Sequence, residues 1–315
     1  MKKTPMILPA LLLCLLPAVH AAELAIEKAD GQIKVTVDGK PFTTYDYTSY
    51  GKPILWPVIG PTGSEMTRNY PMKKGVANEA EDHPHHKSFT FHHGEVSGEN
   101  FWHESDKGNG TIQNTAITQA ELVDGKAIIA SANDWVGQDG KTVILRDETR
   151  IVCHADAQNR YIDFEIKLIT NQGDVTFQDT KEGTMMIRTH PALRLKGKAA
   201  KGKAVNSSGD KDGSLWGKKA AWVDYWAPVD GTMCGIAIFD HPENLRYPTT
   251  WHARDYGLIA ANPFGLSYFE KGAGKGAGDY TIKKGESQTF KYRFVFHTGD
   301  HEAAKIPALF KAWAL

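Results

Sequence analysis

Six of the 13 histidines in this 315-residue chain lie between Glu81 and His103, and three of them, His83, His85 and His86, flank one proline, Pro84. Imidazole titrates near neutral pH and is the commonest metal ligand. Lys and Glu serve a solvated surface and Val or Leu serve a core, so adjacent imidazoles beside Asp82 point to chemistry. One option is a divalent metal with an open position for water or substrate. The other is metal-free proton transfer, with Glu81, Asp82 or Glu95 as the carboxylate. Pro84 keeps His83 out of a helix. Ser88-Phe89-Thr90-Phe91 alternates like a half-buried strand, which puts Phe89, Phe91 and His93 on one face and His86 and His92 on the other. A single strand cannot gather these rings, so a bend at Pro84 or partners from elsewhere are required.

Partners exist. Thr189-His190-Pro191, Asp240-His241-Pro242 and Trp251-His252-Ala253-Arg254 each place a histidine at the end of an apolar run, and strand ends feeding loops are where sandwiches build their sites. The expected catalytic set is His83, His86, His190, His252 and Arg254. The expected metal ligands are His83, His85, His86 and His93, with zinc or manganese as the ion and Asp82 orienting an imidazole from behind. Arg188 and Arg254 suit a carboxylate or carbonyl oxygen. Trp102, Trp216, Trp222, Trp226 and Trp251 lie near the histidine-bearing segments and offer flat faces to sugar rings. Trp102, Trp251, Arg188 and Asn262 form the expected substrate-binding set. His92 and His103 read as surface residues, and His154 and His297 as hydrogen-bonded strand residues without a role.

The elements that must position these groups are strands. Gln32 to Val37 alternates, Asp38-Gly39 offers a tight turn, and Phe42 to Tyr47 returns. The device recurs at Asp124-Gly125, between Thr111 to Val123 and Lys126 to Trp135, and at Gly137-Gln138-Asp139-Gly140, before Lys141 to His154 and Tyr161 to Ile169. Further strands are expected at 184–190, 220–226, 234–240, 257–261 and 288–297. The one helical candidate is C-terminal, capped by Asp300, with Ala304, Leu309, Phe310 and Trp313 as its apolar face. The pattern predicts a single all-β domain over 22–315, a large antiparallel sandwich with a short C-terminal helix.

Lys2-Lys3, the apolar run Ile7 to Leu16 and Val19-His20-Ala21 read as a signal peptide cleaved after Ala21. A periplasmic or secreted protein is therefore expected, with no later segment long enough to span a membrane. Without Lys2 and Lys3 the 37 basic residues become 35 against 37 acidic ones, a net charge of about −2 that argues against a nucleic-acid partner. The expected partner is a small molecule or oligosaccharide. Cys153 and Cys234 remain; an oxidising compartment allows them to pair, but both lie in apolar strand-like runs where cysteine is commonly a small buried residue.

Several blocks together resemble the PmoA-like family of exported bacterial proteins. They are Tyr70-Pro71-Met72, Asp82-His83-Pro84-His85-His86-Lys87-Ser88, His93-Gly94-Glu95, Arg188-Thr189-His190-Pro191, Asp240-His241-Pro242-Glu243-Asn244, Pro248-Thr249-Thr250-Trp251-His252-Ala253-Arg254 and Asn262-Pro263-Phe264-Gly265. The resemblance implies a sandwich similar to the galactose-mutarotase-like supersandwich, in a sugar-processing protein. The family's inherited label, methane oxygenase, needs several spanning helices that this chain lacks. Three functions follow as expectations. The first is an exported carbohydrate-active hydrolase or lyase, the second a non-catalytic sugar-binding sandwich. The third is copper or oxygen chemistry, which, without the Cys and Met ligands of an electron-transfer copper site, would need an all-histidine site.

Overall fold

Period-two alternation punctuated by Asp-Gly builds most of this molecule. In the computed structural model, which describes residues 22–103 and 108–315, Asp38 and Gly39 both take left-handed φ, 50° and 70°, between the strands Gln32–Val37 and Lys40–Asp46. Asp124 and Gly125 repeat this at 50° and 74° between Thr111–Val123 and Lys126–Val136. Two-residue loops of that hand match the twist of the paired strands. The leader expected at 1–21 lies outside the described residues.

Two eight-stranded antiparallel sheets result. The first runs, in spatial order, Leu24–Ala29, Gln32–Val37, Lys40–Asp46, Ile54–Val58, Phe89–His93, Gly183–Arg188, Leu258–Ala261 and Trp251–Ala253. The second runs Lys203–Asn206, Trp222–Val229, Thr232–Asp240, Ser287–Thr298, Asn159–Ile169, Val143–Ala155, Lys126–Val136 and Thr111–Val123. Their inner faces meet through aromatic rings. Phe89 lies 4.2 Å from Phe294 and 5.7 Å from Phe164, Phe91 lies 6.3 Å from Trp135, and Phe42 lies 6.3 Å from Phe296. One buried cluster draws on both sheets, and each fully buried ring of this size contributes roughly 1.5–3 kcal/mol. The architecture is the expected all-β sandwich.

The C-terminal helix spans Ile306–Trp313, later than expected. Pro307 fixes its first turn. Asp300 instead accepts a hydrogen bond from the Ala303 amide in the preceding turn, and Lys305 stands at the N-cap with φ 53°. Ala304, Leu309, Phe310 and Trp313 do pack together over Phe239, on the outer face of the second sheet. Cys153 and Cys234 are free and buried, the latter 3.8 Å from the Met66 sulfur. His154 stacks on Tyr161, and His297 pairs with Asp224 at 3.0 Å with both side chains fully buried. No helix among the described residues is long and apolar enough to cross a membrane.

Candidate functional site

The outer face of the first sheet carries the site. Along Phe89–His93 the phenylalanines point inward, so Thr90 and His92 point outward. The neighbouring strands add Met186, Leu258 and Ala260, which form a small apolar cluster with Trp102 and Tyr256. Trp102 stacks on His92 at 4.1 Å with an interplanar angle of 8°, and the His92 Nδ1 lies 3.2 Å from the Phe101 carbonyl. His92 is therefore not a surface residue, as expected, but the buried support beneath an indole.

Above this floor the segment 82–86 folds as a tight turn. Pro84 occupies its second position, which its fixed φ favours, and the His86 amide donates to the His83 carbonyl at 3.0 Å. The turn brings the His83 and His86 rings parallel at 4.9 Å, with His85 set across both at 5.7 and 4.4 Å. His83 takes a left-handed φ of 46°, a conformation that persists only where surroundings enforce it. Arg68 enforces it. Its guanidinium donates to the carbonyls of Ala80, His83 and His86 and to the Asp82 carboxylate at 2.7 Å. Arg188 reaches the same Asp82 oxygen at 3.2 Å, and the other oxygen lies 3.1 Å from the His83 Nδ1. Burial raises the Asp82 carboxyl, but Arg188 and Arg68 together hold it below its ordinary range.

The opposite wall is a hairpin loop. Arg254-Asp255-Tyr256-Gly257 joins Trp251–Ala253 to Leu258–Ala261. The Gly257 amide donates to the Arg254 carbonyl at 3.1 Å, and Gly257 supplies the left-handed φ of 91° that closes the turn. Between the two walls lies a hollow of about 440 Å³ lined by His83, His85, His86, Trp102, His103, Lys181, Glu182, His252, Arg254, Tyr256 and Leu258. Tyr256 extends the imidazole shelf, parallel to His83 at 5.5 Å, with the Arg188 and Arg254 guanidinium carbons 4.5 and 5.2 Å from its ring centre.

The electrostatics follow from burial. Desolvation drives His86 well below the usual imidazole range, and with His103 and Lys52 nearby it lowers His85 to about 3. It also lowers His252 to about 4, partly offset by the hydrogen bond between the His252 Nδ1 and the Lys181 carbonyl at 2.7 Å. A carbonyl only accepts, so Nδ1 carries the proton and the buried Nε2 is left as a bare lone pair without a protein partner. Burial raises Tyr256, which keeps it protonated at neutral pH, although Arg188 and Arg254 pull the other way.

Several expected site residues are elsewhere. His93 sits on the inner face, fully buried against Phe177 and Phe264, with Nε2 2.8 Å from the Gln178 carbonyl. It cannot join His83, His85 and His86 around one ion, because strand alternation sends it to the other side of the sheet. Among the described residues no group of three or more His, Cys, Asp or Glu side chains is arranged to hold a metal ion. His190 caps the short turn Pro191–Leu193 by accepting from the Ala192 amide, and does not line the hollow. Trp251 is core, its Nε1 donating to the Ala220 carbonyl. Asn262 is fully buried and spends its amide on Thr180, Phe264 and Gly265. Arg188 lies behind Tyr256 instead of facing the cavity. His241 lies against Trp313, on the second sheet. Glu81 accepts from the Gly75 amide and Glu95 is exposed, so neither supplies the cavity's carboxylate. That group is Glu182, which sequence reasoning missed together with Lys181 and Tyr256. Tyr256, two residues beyond Arg254, was the one with a local signal.

Burying neutral imidazoles makes stability pH-dependent. His85, His86, His92, His93 and His252 all have folded values below 6.5, with His93 and His252 at about 4. The unfolded chain therefore takes up protons first as pH falls from about 6.5, which costs about 3 kcal/mol for each of the last two by pH 4. Asp147 and Asp240, raised by burial to about 6 and 7, oppose this, since their folded forms protonate first. His297 opposes it too: burial lowers it, but Asp224 raises it further, so its contribution is present below 6.5 and lost on going alkaline. Burial also lowers His190 and His241, so seven histidines stand against these three groups and the balance is a net loss. The urea midpoint should fall between pH 7.5 and pH 5, and an unchanged or higher midpoint at pH 5 overturns this balance.

A model of a family of unknown function, DUF6807, matches residues 32–311. This corrects the PmoA-like resemblance, since no such family is matched. No curated protein matches the sequence. Similar solved structures include the galactosidase domain of the α-galactosidase–sucrose kinase AgaSK, at 9% identity and TM-score 0.42, covering 89% of this chain and 42% of that one. A galactose mutarotase-like protein from Clostridium acetobutylicum is similar at 8% and 0.36, with 89% and 99% covered. A heparan sulfate lyase HepC mutant from Pedobacter heparinus is similar at 7% and 0.38, with 90% and 36% covered. The chain thus spans little more than a third of the lyase and under half of the galactosidase chain. Likeness at this level carries no statement about activity.

Proposed function

We propose that this chain, which belongs to the DUF6807 family of unknown function, is an exported carbohydrate-active enzyme whose active site is the histidine-lined hollow. The observation that supports the reading is His252: its tautomer is fixed by the Lys181 carbonyl, and burial keeps it unprotonated at neutral pH. That is the state a general base needs.

Of the two expected reaction types, elimination fits the groups better than hydrolysis. Glycoside hydrolysis commonly uses two carboxylates across the scissile bond, and Glu182 is the one carboxylate among the described residues lining the hollow. Elimination from a uronate needs a cation on the carboxylate, a base for the adjacent carbon-bound proton and an acid for the leaving oxygen. Arg254 would take the carboxylate. His252 Nε2, covered in the unliganded protein, would accept the C5 proton once the bound substrate displaces what covers it, and the C5–H electron pair would form the C4–C5 double bond as the C4–O bond breaks. Tyr256, held protonated by burial, would give its proton to the departing oxygen.

The test is incubation with uronate polymers, followed by the ultraviolet absorbance of the unsaturated product. No unsaturated product from any uronate polymer removes the elimination reading, and reducing ends appearing without that absorbance substitute hydrolysis. Stoichiometric zinc or manganese in purified protein, with turnover lost on chelation, substitutes a metal-centred reaction. A second reading, a non-catalytic sugar-binding protein, is favoured by the parallel shelf of His83, His86 and Tyr256, which offers a stacking face. It predicts saturable binding without product.

A further inference from the structure

Arg254 borders two cavities. Beside the histidine-lined hollow lies a second of about 190 Å³, lined by Gly213, Trp216, Ala253, Arg254 and Asp255. The two share Arg254 and are lined by consecutive residues of one hairpin. Trp216 is 37% exposed, unusual for so large an apolar ring.

Its position is built. Leu215, the last residue of the short turn Asp212–Leu215, is fully buried, and the Gly217 amide donates to the Trp251 carbonyl at 2.8 Å, so the backbone is tied down on both sides of the indole. Phe269 props the ring edge-on at 5.5 Å and 77°. Gly213 contributes no side chain to the mouth, and a Cβ there would meet nothing within 4 Å. An indole held rigidly at the edge of an open polar cavity loses little conformational freedom on gripping a flat ligand. Asp255 adds a carboxylate that can accept from hydroxyls.

We propose that the Trp216 cavity is a second sugar subsite, so that the substrate is an acidic oligosaccharide crossing Arg254 and not a single sugar. The unit in the main hollow presents its carboxylate to Arg254, and the neighbouring unit stacks on Trp216 with its hydroxyls toward Asp255. This rests on the elimination reading of the main hollow.

The experiment uses His252→Gln protein, which leaves the ligand intact, and calorimetry with the monomer, dimer and tetramer of galacturonate, of mannuronate and of a glucuronate-containing chain. At least one series should bind more tightly as dimer than as monomer. Trp216→Ala should weaken the dimer about tenfold while leaving the monomer unchanged, an effect of the size expected of one aromatic contact. Trp216→Phe should recover most of the loss, and thermal melting checks that both variants fold. Equal affinity for monomer and dimer, or equal weakening of both by Trp216→Ala, overturns the subsite while the main-hollow reading stands. Absence of binding by every uronate overturns that reading, and the subsite with it.

Discussion

His252→Gln protein is expected to bind a uronate oligomer within about threefold of the parent affinity and to turn it over about a thousandfold more slowly, the scale of a lost general base. Glutamine keeps the reach and bulk of the imidazole, so the wall should keep its shape, although its amide lies where Nε2 stood and not where Nδ1 meets the Lys181 carbonyl at 2.7 Å. What disappears is the basic lone pair. The parent should also have an acid limb governed by a group near 4, the value to which burial lowers His252, instead of one near 6.5. Activity should therefore be flat from neutrality down to about pH 5 and fall below it. A rate-pH profile breaking near 6.5, or a variant that keeps its turnover, assigns the base elsewhere.

Asp82→Ala is expected to cost about 3 kcal/mol and to abolish turnover together with it. Arg68 and Arg188 are almost wholly buried and share the Asp82 carboxylate at 2.7 and 3.2 Å. Removing one partner of a buried ion pair costs about 3–5 kcal/mol, because the remaining charge is left in a poor solvent. The lower end applies for two reasons. The carboxylate is itself partly exposed, and Arg68 keeps the carbonyls of Ala80, His83 and His86. Chemical denaturation of parent and variant measures the cost, and a loss under about 1 kcal/mol would show that the arginines find other partners. Asp82→Asn should fall between the two, since an amide oxygen can still accept one of these hydrogen bonds.

Much of the scaffold was readable along the chain because its rules are local. Asp-Gly turns and two-residue alternation located the long strands of the second sheet within a few residues, and the same alternation put Phe89 and Phe91 opposite His92. The short strands Ile54–Val58 and Trp251–Ala253 carried no such signal; the second is buried at all three positions and reads as an apolar run. The site was half readable. The bend at Pro84 and its three imidazoles are local, as is Arg254. Which other residues face them depends on the order Phe89–His93, Gly183–Arg188, Leu258–Ala261, in which sheet neighbours are separated by some 70 to 90 residues of sequence. That order brings Lys181 and Glu182 to the rim, and nothing around them announces it. His93 misled for a simple reason: its place in the histidine-rich stretch suggested a ligand, although the alternation already set it on the face of Phe89 and Phe91, which the pleat buries between the sheets.

The strand Phe89–His93 is buried along its whole length, its alternate side chains divided between the inter-sheet core and the ledge under Trp102. A substitution on one surface of that strand that displaces its backbone is felt on the other, because both surfaces are close-packed. Diversification of ligand preference among relatives should then accumulate at rim positions such as His103 and Lys181, whose side chains line the cavity without supporting the interior or the proposed chemistry. The ledge itself should change only in step with the aromatic rings on its far side.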